Sequence, residues 1–404
     1  MAHPSDSVAE FQGLYGPFVC HERVLQRIWL QGDFAREQAA TTDGRRIEII
    51  APGRWNLLGG PDFKDAQLRI GGESVTGDVE VHFHAGDWTA HGHADNPAYT
   101  NVVLHVLLFP PAPGGRPGRR RDGVELPALV LLPLLLRDLE EYASDAALEA
   151  LTERADWRQL SGLAEMPVEE TRASLEEHAQ RRWRQKGHSA KSRIERLGWD
   201  AALHHAALEI LGYRLNRAPM LAVAARFPLA AWRAGCEPEE VFRCEGLTWI
   251  RHGVRPANHP RARLKQYAAW VRARPDWPEQ LAEWGRNLPA GGEDGALATS
   301  ETARRELALH MRRGRVAVDV TGLAVGGSRL DNLVCDGFLP LLAAHTGRDH
   351  FAAWFHWFTG DVPGQVRRAL VKLGVAGSRI QPLCHGYAQG LLGWMLANES
   401  PASR

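Results

Sequence analysis

Cysteine is scarce in this chain of 404 residues, and the five that occur lie far apart. No two of them form a CxxC pair, which excludes a thioredoxin-type redox motif and a zinc ribbon. An odd, scattered set also argues against the disulfide framework of small secreted domains. The five are Cys20, Cys236, Cys244, Cys335 and Cys384.

The sequence also lacks an excess of charge of either sign. Lys and Arg together number 48, and Asp and Glu together number 48. Without a general cationic field, any contact with nucleic acid has to come from local basic patches.

Long hydrophobic runs are missing as well. The longest, Leu126 to Leu136, contains prolines and is too short to span a bilayer. The N-terminal segment has no basic region followed by an apolar stretch, as a signal peptide would have. We therefore expect a soluble cytoplasmic protein without membrane contact, and the sequence leaves its oligomeric state open.

The sequence pattern divides the chain near residue 135. A short helix over 21–31 precedes a series of alternating segments predicted to be strands, at 46–51, 66–70, 76–84, 102–109 and 124–132. From 136 to 404 the spacing is helical, with room for two subdomains. The predicted fold class is α+β: a mixed, strand-rich N-terminal domain over 1–135 and a mainly helical region over 136–404.

The stretch from Gly59 to Val106 contains an unusual density of imidazoles and carboxylates. Strand alternation over 79–84 predicts that Glu80, His82 and His84 share one face. Such groups suit a divalent cation or acid/base chemistry. The set comprises Asp62, Glu80, His82, His84, Asp87, His91, His93, Asp95 and His105.

Several segments resemble a large bacterial family of proteins of unknown function, DUF2851. The similar segments are GPDF at 60–63, GDVEVH at 77–82, DWTAHGH at 87–93, YTNVVLHV at 99–106, GYRLNRAPM at 212–220 and RPANHPRARLKQYA at 255–268. The resemblance covers most of the chain and is weaker in the last third. It implies family membership but no activity.

The N-terminal domain also distantly resembles the PD-(D/E)XK nuclease superfamily. Pro61-Asp62, a strand, and then Glu80-Val81-His82 follow that layout, with His82 where the superfamily has lysine. The resemblance implies a restriction-endonuclease-like core, catalytic roles for Asp62, Glu80 and His82, and a helix-one carboxylate at Glu22. The best functional hypothesis is therefore a metal-dependent hydrolase of nucleic-acid phosphodiesters.

The identity of the metal depends on which groups bind it. Carboxylates from Asp62 and Glu80 favour Mg²⁺ or Mn²⁺. If the histidine cluster is the site, with His84, His91 and His93, Zn²⁺ or Fe is expected instead. The predicted metal ligands are Asp62, Glu80, His84, His91 and His93.

Two other classes of function stay open. The HxH pair at 82–84 is slightly similar to a cupin motif, which implies a histidine-bound metal in a small β-barrel. The second open class is a non-catalytic nucleic-acid-binding module, which is suggested by a basic loop that could contact phosphates. Its predicted contact residues are Arg251, Arg255, Arg261, Arg263 and Lys265.

Simpler interpretations exist for individual residues. Asp62 could cap a turn after Gly-Gly-Pro, and His91 and His93 could be solvated surface residues. His105 interrupts the apolar run VVLHVLLF and is interpreted as a core histidine with a backbone partner. The segment GLAVGGSR at 322–329 lacks the end of a P-loop and is interpreted as an ordinary loop.

Overall fold

The computed structural model describes residues 8–398, except 14–15, 57–58, 113–116, 137–138, 140, 144–145, 147–159, 214–215, 246, 248, 252–253 and 290–298. The chain forms two compact units. The first comprises residues 1–13, 17–146 and 401–404, and the second comprises 14–16 and 147–400. A strand-rich N-terminal part is followed by a mostly helical region, which confirms the predicted α+β class.

The first unit contains strands and, among its described residues, helices α1 (Glu22–Gln31) and α2 (Asp87–Ala90). The strands are β1 (Val8–Gly13), β2 (Gly16–His21), β3 (Ile47–Ala51), β4 (Arg54–Trp55), β5 (Phe63–Ile70), β6 (Glu73–His82), β7 (Val102–Leu107) and β8 (Ala128–Val130).

The main sheet of this unit is mixed, with the strand order β3-β5-β6-β7-β8. Strands β3, β5 and β6 pair antiparallel, whereas β6, β7 and β8 pair parallel. Isolated bridges from Ala40 to Arg46 and from Thr41 to Leu129 link the two edges. The sheet therefore curls into a half-barrel, and the chain reaches β7 from β6 through α2, the crossover that parallel neighbours require.

Helix α1 forms because its apolar residues recur at helical spacing. Val24, Leu25, Ile28 and Trp29 are all buried, which is the one-sided pattern expected of a helix that covers a sheet. The helix ends at Gly32, whose φ of 64° places it in the left-handed region that glycine adopts at little cost.

A tight turn and a bulge set the register between β5 and β6. Gly71 and Gly72 have positive φ, as a two-residue hairpin turn requires, and Ile70 pairs with Glu73. Farther from the turn, near the start of β5, the register shifts between Phe63 and Ala66, so that Phe63 pairs with Val79. This bulge brings Asp62, the residue before Phe63, beside Glu80.

Helices build the second unit: α3 (Ser161–Ala164), α4 (Val168–Leu197), α5 (Trp199–Leu211), α6 (Arg217–Arg226), α7 (Leu229–Arg233), α8 (Pro238–Arg243), α9 (Pro260–Ala273), α10 (Trp277–Arg286), α11 (Ser300–Glu306), α12 (Leu309–Arg315), α13 (Gly327–Asn332), α14 (Leu339–Thr346), α15 (Phe351–His356), α16 (Gly364–Lys372) and α17 (His385–Asn398). Trp270, Trp277, Trp354 and Trp357 are fully enclosed in its core. Among the described residues, no helix is both long enough and apolar enough to cross a membrane.

Gly77 allows β6 and β7 to approach closely, and its replacement tests this packing. A Cβ there would lie 2.3 Å from Val103 Cγ1 and 2.6 Å from the Asn101 oxygen. We expect Gly77→Ala to lower the free energy of unfolding by about 1–3 kcal/mol, measured by urea denaturation. The control is Gly86→Ala, because no atom lies within 4 Å of the added Cβ. Equal stability of the two variants would contradict this account.

Candidate metal centre

Strands β6 and β7 supply three polar side chains to one face of the half-barrel. Alternation along β6 places Glu80 and His82 on the same side, and the parallel register sets His105 of β7 opposite Glu80. All three are buried, with exposures of 2%, 1% and 0%. The sequence pattern of alternating apolar and polar residues thus produces a polar face that is hidden from solvent.

The crossover after β6 adds two more imidazoles. Helix α2 ends at Ala90 with His91 as its C-terminal capping residue, and the turn that follows is held by a hydrogen bond from the His93 amide to the Trp88 oxygen at 3.1 Å. Trp88 is 1% exposed and His93 is 2% exposed, whereas His91 is only partly buried. The cluster is therefore closed on the sheet side and nearest to solvent at His91.

Four side-chain atoms converge on a common point. His82 Nε2 lies 3.2 Å from His91 Nδ1, 3.3 Å from His93 Nε2 and 3.5 Å from Glu80 Oε1. His93 Nε2 lies 3.2 Å from the same Glu80 oxygen. The ligand atoms of the three imidazoles all lie within 4.8 Å of one another.

A second layer of residues holds the imidazoles in place. His82 Nδ1 and His105 Nε2 are 2.8 Å apart and share a hydrogen bond. The sequence predicts that His105 is a core histidine with a backbone partner; the residue is fully buried, and its ring contacts His82. The His93 ring stacks on Tyr99, with ring centroids 3.9 Å apart, and Trp88 packs edge-on against both.

Asp62 orients Glu80 through the main chain. The Asp62 amide donates to Glu80 Oε2 at 2.9 Å, which leaves Oε1 facing the imidazoles. The Asp62 carboxylate accepts hydrogen bonds from the Val81 amide at 3.0 Å and from Gln26 Nε2 at 2.7 Å. Trp55 Nε1 in turn donates to the Gln26 oxygen at 3.1 Å. Gln26 and Trp55 belong to no recognisable sequence motif, so their contacts with the site could not be predicted from the sequence.

Glu22, the predicted helix-one carboxylate, is the first residue of α1 and is 1% exposed. It precedes Gln26 by one helical turn, so both residues project from the same side of α1. Since Gln26 reaches Asp62, Glu22 lies on the side of the helix that faces the site.

Burial shifts the acid/base properties of the whole cluster. Burial raises the pKa of Glu80 to about 8. It lowers the pKa of His93 to about 4 and that of His105 to about 3, and it lowers those of His82 and His91 as well. At neutral pH the imidazoles are therefore uncharged, and their nitrogen lone pairs are free to bind a cation.

The structure brings together part of the predicted set. Glu80, His82, His91 and His93 meet, and Asp62 borders them with both carboxylate oxygens hydrogen-bonded. His84 lies outside: it is exposed and stacks on Phe109, with ring centroids 5.0 Å apart. Strand β6 ends at His82, so the predicted alternation does not extend to His84.

The predicted nucleic-acid contacts lie in the second unit and differ in their exposure and their partners. They are Arg251, Arg255, Arg261, Arg263 and Lys265. Arg251 and Arg255 are exposed, whereas Arg261 and Lys265 both pair with Glu239. Arg263 is partly buried and contacts Asn258 and Gln266.

The chemistry of the donor set indicates what it can bind. Three neutral imidazole nitrogens and one carboxylate oxygen suit a transition-metal ion better than Mg²⁺, which prefers oxygen ligands. Two ligands of one tetrahedral ion with bonds of roughly 2.0–2.1 Å lie roughly 3.3–3.4 Å apart. Four of the six separations in this donor set, 3.2, 3.2, 3.3 and 3.5 Å, agree with that spacing.

The raised pKa of Glu80 predicts a specific pH dependence in protein treated with a chelator. The folded state binds the Glu80 proton more tightly than the unfolded state, so this stabilisation is lost as pH rises through about 8. Between about pH 7 and pH 9 the imidazoles stay neutral. We therefore expect wild-type protein to lose more unfolding free energy over this range than Glu80→Gln, measured by urea denaturation.

The control for that experiment is Glu73→Gln, which alters an exposed residue of the same strand and should behave as wild type. An identical pH dependence in wild type and Glu80→Gln would contradict the effect of burial on Glu80.

Comparison with known proteins adds a family but no activity. No curated protein and no solved structure shows detectable similarity to the chain. The sequence profile of the family described as "Protein of unknown function (DUF2851)" matches residues 22–248, which include every residue of the candidate metal centre. The chain therefore belongs to the DUF2851 family.

Proposed function

We propose that the first unit is a metal-dependent hydrolase of phosphodiesters, with the ion held by Glu80, His82, His91 and His93. The observation that carries this proposal is the convergence of four donor atoms, with four of their six separations between 3.2 and 3.5 Å. Ionisation of the buried Glu80 among uncharged imidazoles is unfavourable without a cation, because the carboxylate loses its hydration.

Zinc-type ions fit this site better than magnesium. The sequence left Mg²⁺ or Mn²⁺ as the first choice and Zn²⁺ or Fe as the choice for a histidine site. Nitrogen donors outnumber the single carboxylate at the point of convergence, which supports the second choice. A positive ion there would also hold Glu80 in its ionised form, against the effect of burial.

Each residue has a distinct role in the proposed reaction. When bound, the ion polarises a phosphoryl oxygen and acidifies water. Glu80 Oε1 would offset part of the charge of the ion, and the Asp62 amide fixes the orientation of the Glu80 carboxyl group. His105 accepts the Nδ1 proton of His82, so that His82 Nε2 presents its lone pair to the ion. Trp88 and Tyr99 exclude water from the buried side.

The substrate class rests on the arrangement of strands and motif. Asp62 and Glu80 come from adjacent antiparallel strands, after α1 and before the crossover to parallel β7. That order is the one implied by the resemblance to the PD-(D/E)XK nucleases. It supports a nucleic-acid phosphodiester as substrate, with His82 beside Glu80 where those enzymes have lysine.

The sheet topology favours this proposal over a cupin-like enzyme. Cupins are antiparallel jelly rolls, whereas β6, β7 and β8 run parallel. A histidine-bound redox metal without hydrolysis would nevertheless favour the cupin-like alternative. Nucleic-acid binding with no metal would favour the non-catalytic module.

Metal binding is the first test. We expect purified wild-type protein to hold about one Zn²⁺ or Fe ion per chain by elemental analysis. Loss of a ligand in His82→Ala or His93→Ala should weaken Zn²⁺ affinity by more than about tenfold, measured by titration of the metal-free protein. His84→Ala is the matched control and should bind as wild type, since His84 lies outside the cluster. Equal loss in all three variants, or no binding in wild type, would contradict the proposed site.

Hydrolysis is the second test, with labelled single-stranded and double-stranded DNA and RNA. We expect cleavage by the metal-loaded protein, a loss on the order of 100-fold or more in His93→Ala, and wild-type rates in His84→Ala. Activity that survives in His82→Ala and His93→Ala would assign cleavage to a contaminant. A loaded site without cleavage of any of these substrates would leave the metal site standing but refute the hydrolase.

A further inference from the structure

A second polar site lies in the helical unit, separate from the proposed metal centre. Arg263 of α9 and Arg329 of α13 approach the same acceptor, the side-chain oxygen of Asn258. Their Nη2 atoms lie 2.5 Å and 3.3 Å from it. Two guanidinium groups therefore flank one neutral amide, an arrangement that like charges oppose.

Carboxylates neutralise only part of this charge. Arg329 Nη2 pairs with Asp361 Oδ2 at 2.9 Å. Arg263 makes its hydrogen bonds to two neutral oxygens, of Asn258 and Gln266, and within the described part of the chain no carboxylate lies within ion-pair distance of it. Burial and the neighbouring Arg329 lower the pKa of Arg263 to about 10. The site keeps an excess of positive charge.

Both arginines also retain unused hydrogen-bond donors. Arg329 is 5% exposed, and its buried Nε has no acceptor among the described residues. The same holds for the Nε of Arg263. Arginine stays protonated in proteins, so a buried N–H of this kind is satisfied only when an acceptor enters the site.

The glycine-rich segment 322–329 forms the edge of the site. Gly327 has a φ of 59°, a left-handed conformation that suits glycine, and α13 begins there. Ser328 Oγ donates to Asp361 Oδ1 at 2.7 Å. The Asp361 side chain is 34% exposed, so this side of the arginine pair lies near the surface. The segment interpreted from sequence as an ordinary loop thus contributes Ser328 and Arg329 to the site.

We propose that Arg263 and Arg329 bind a phosphate-type oxyanion, either free phosphate or the terminal phosphate of a small molecule. The planar guanidinium fork matches the geometry of phosphate oxygens. Arg329 is too enclosed to meet the backbone of a nucleic-acid duplex, which limits the ligand to a group that enters the opening. This inference is independent of the proposed hydrolase.

The test measures binding of inorganic phosphate and of a nucleoside 5′-monophosphate to the full chain by calorimetry, at constant ionic strength maintained with NaCl. We expect saturable binding of at least one of them. Arg263→Gln should weaken it about tenfold to a hundredfold, as the loss of a charge-assisted hydrogen bond predicts. Comparison of the two ligands distinguishes free phosphate from a phosphomonoester.

Two further variants make the experiment decisive. Arg261→Gln is the matched control on the same helix; Arg261 pairs with Glu239, so binding should be unchanged. Asp361→Asn removes the carboxylate that competes for Arg329 and should tighten binding, an effect that partial unfolding cannot mimic. No saturable binding beyond that of NaCl, or equal affinity in Arg263→Gln and wild type, would overturn the proposal.

Discussion

The burial of Glu80 is the constraint on which the first unit depends. A carboxylate that is 2% exposed loses nearly all its hydration, and such a group stays protonated or requires a cation and directed hydrogen bonds. The neighbouring elements supply a hydrogen bond to one carboxyl oxygen and imidazole nitrogens beside the other. The β5 bulge directs the Asp62 amide to one oxygen, while β6 and the crossover through α2 direct imidazoles to the other. The arrangement of these elements therefore determines which groups surround Glu80.

The nature of the neighbours decides which cation such a site accepts. In the nuclease layout, oxygen ligands and water surround Mg²⁺, and a lysine supplies nearby charge. In this chain the groups around Glu80 are imidazoles, and burial lowers their pKa values so that they are uncharged at neutral pH. A short motif such as PD followed by ExH defines positions along the chain without defining the metal.

The two units bury polar groups of opposite charge type. The first encloses neutral nitrogens around one acid, whereas the second encloses two guanidinium groups with one carboxylate, Asp361, paired to Arg329. Each arrangement is unfavourable for an isolated chain and becomes favourable with a ligand of the complementary sign. Local departures from regular structure create both: the β5 bulge in the first unit, and left-handed Gly327 in the second.

The sequence by itself determined the fold class, helix α1 and the polar face of β6, because periodicity is a local property. It also located the histidine-rich stretch. Only the tertiary structure decided that His84 lies outside the cluster, that His105 supports His82, and that Arg263 turns inward towards Arg329. Those outcomes depend on where β6 ends, on the parallel register of β7 and on contacts between residues far apart in the chain. No local pattern encodes them, because the free energy that selects them comes from burial shared among distant segments.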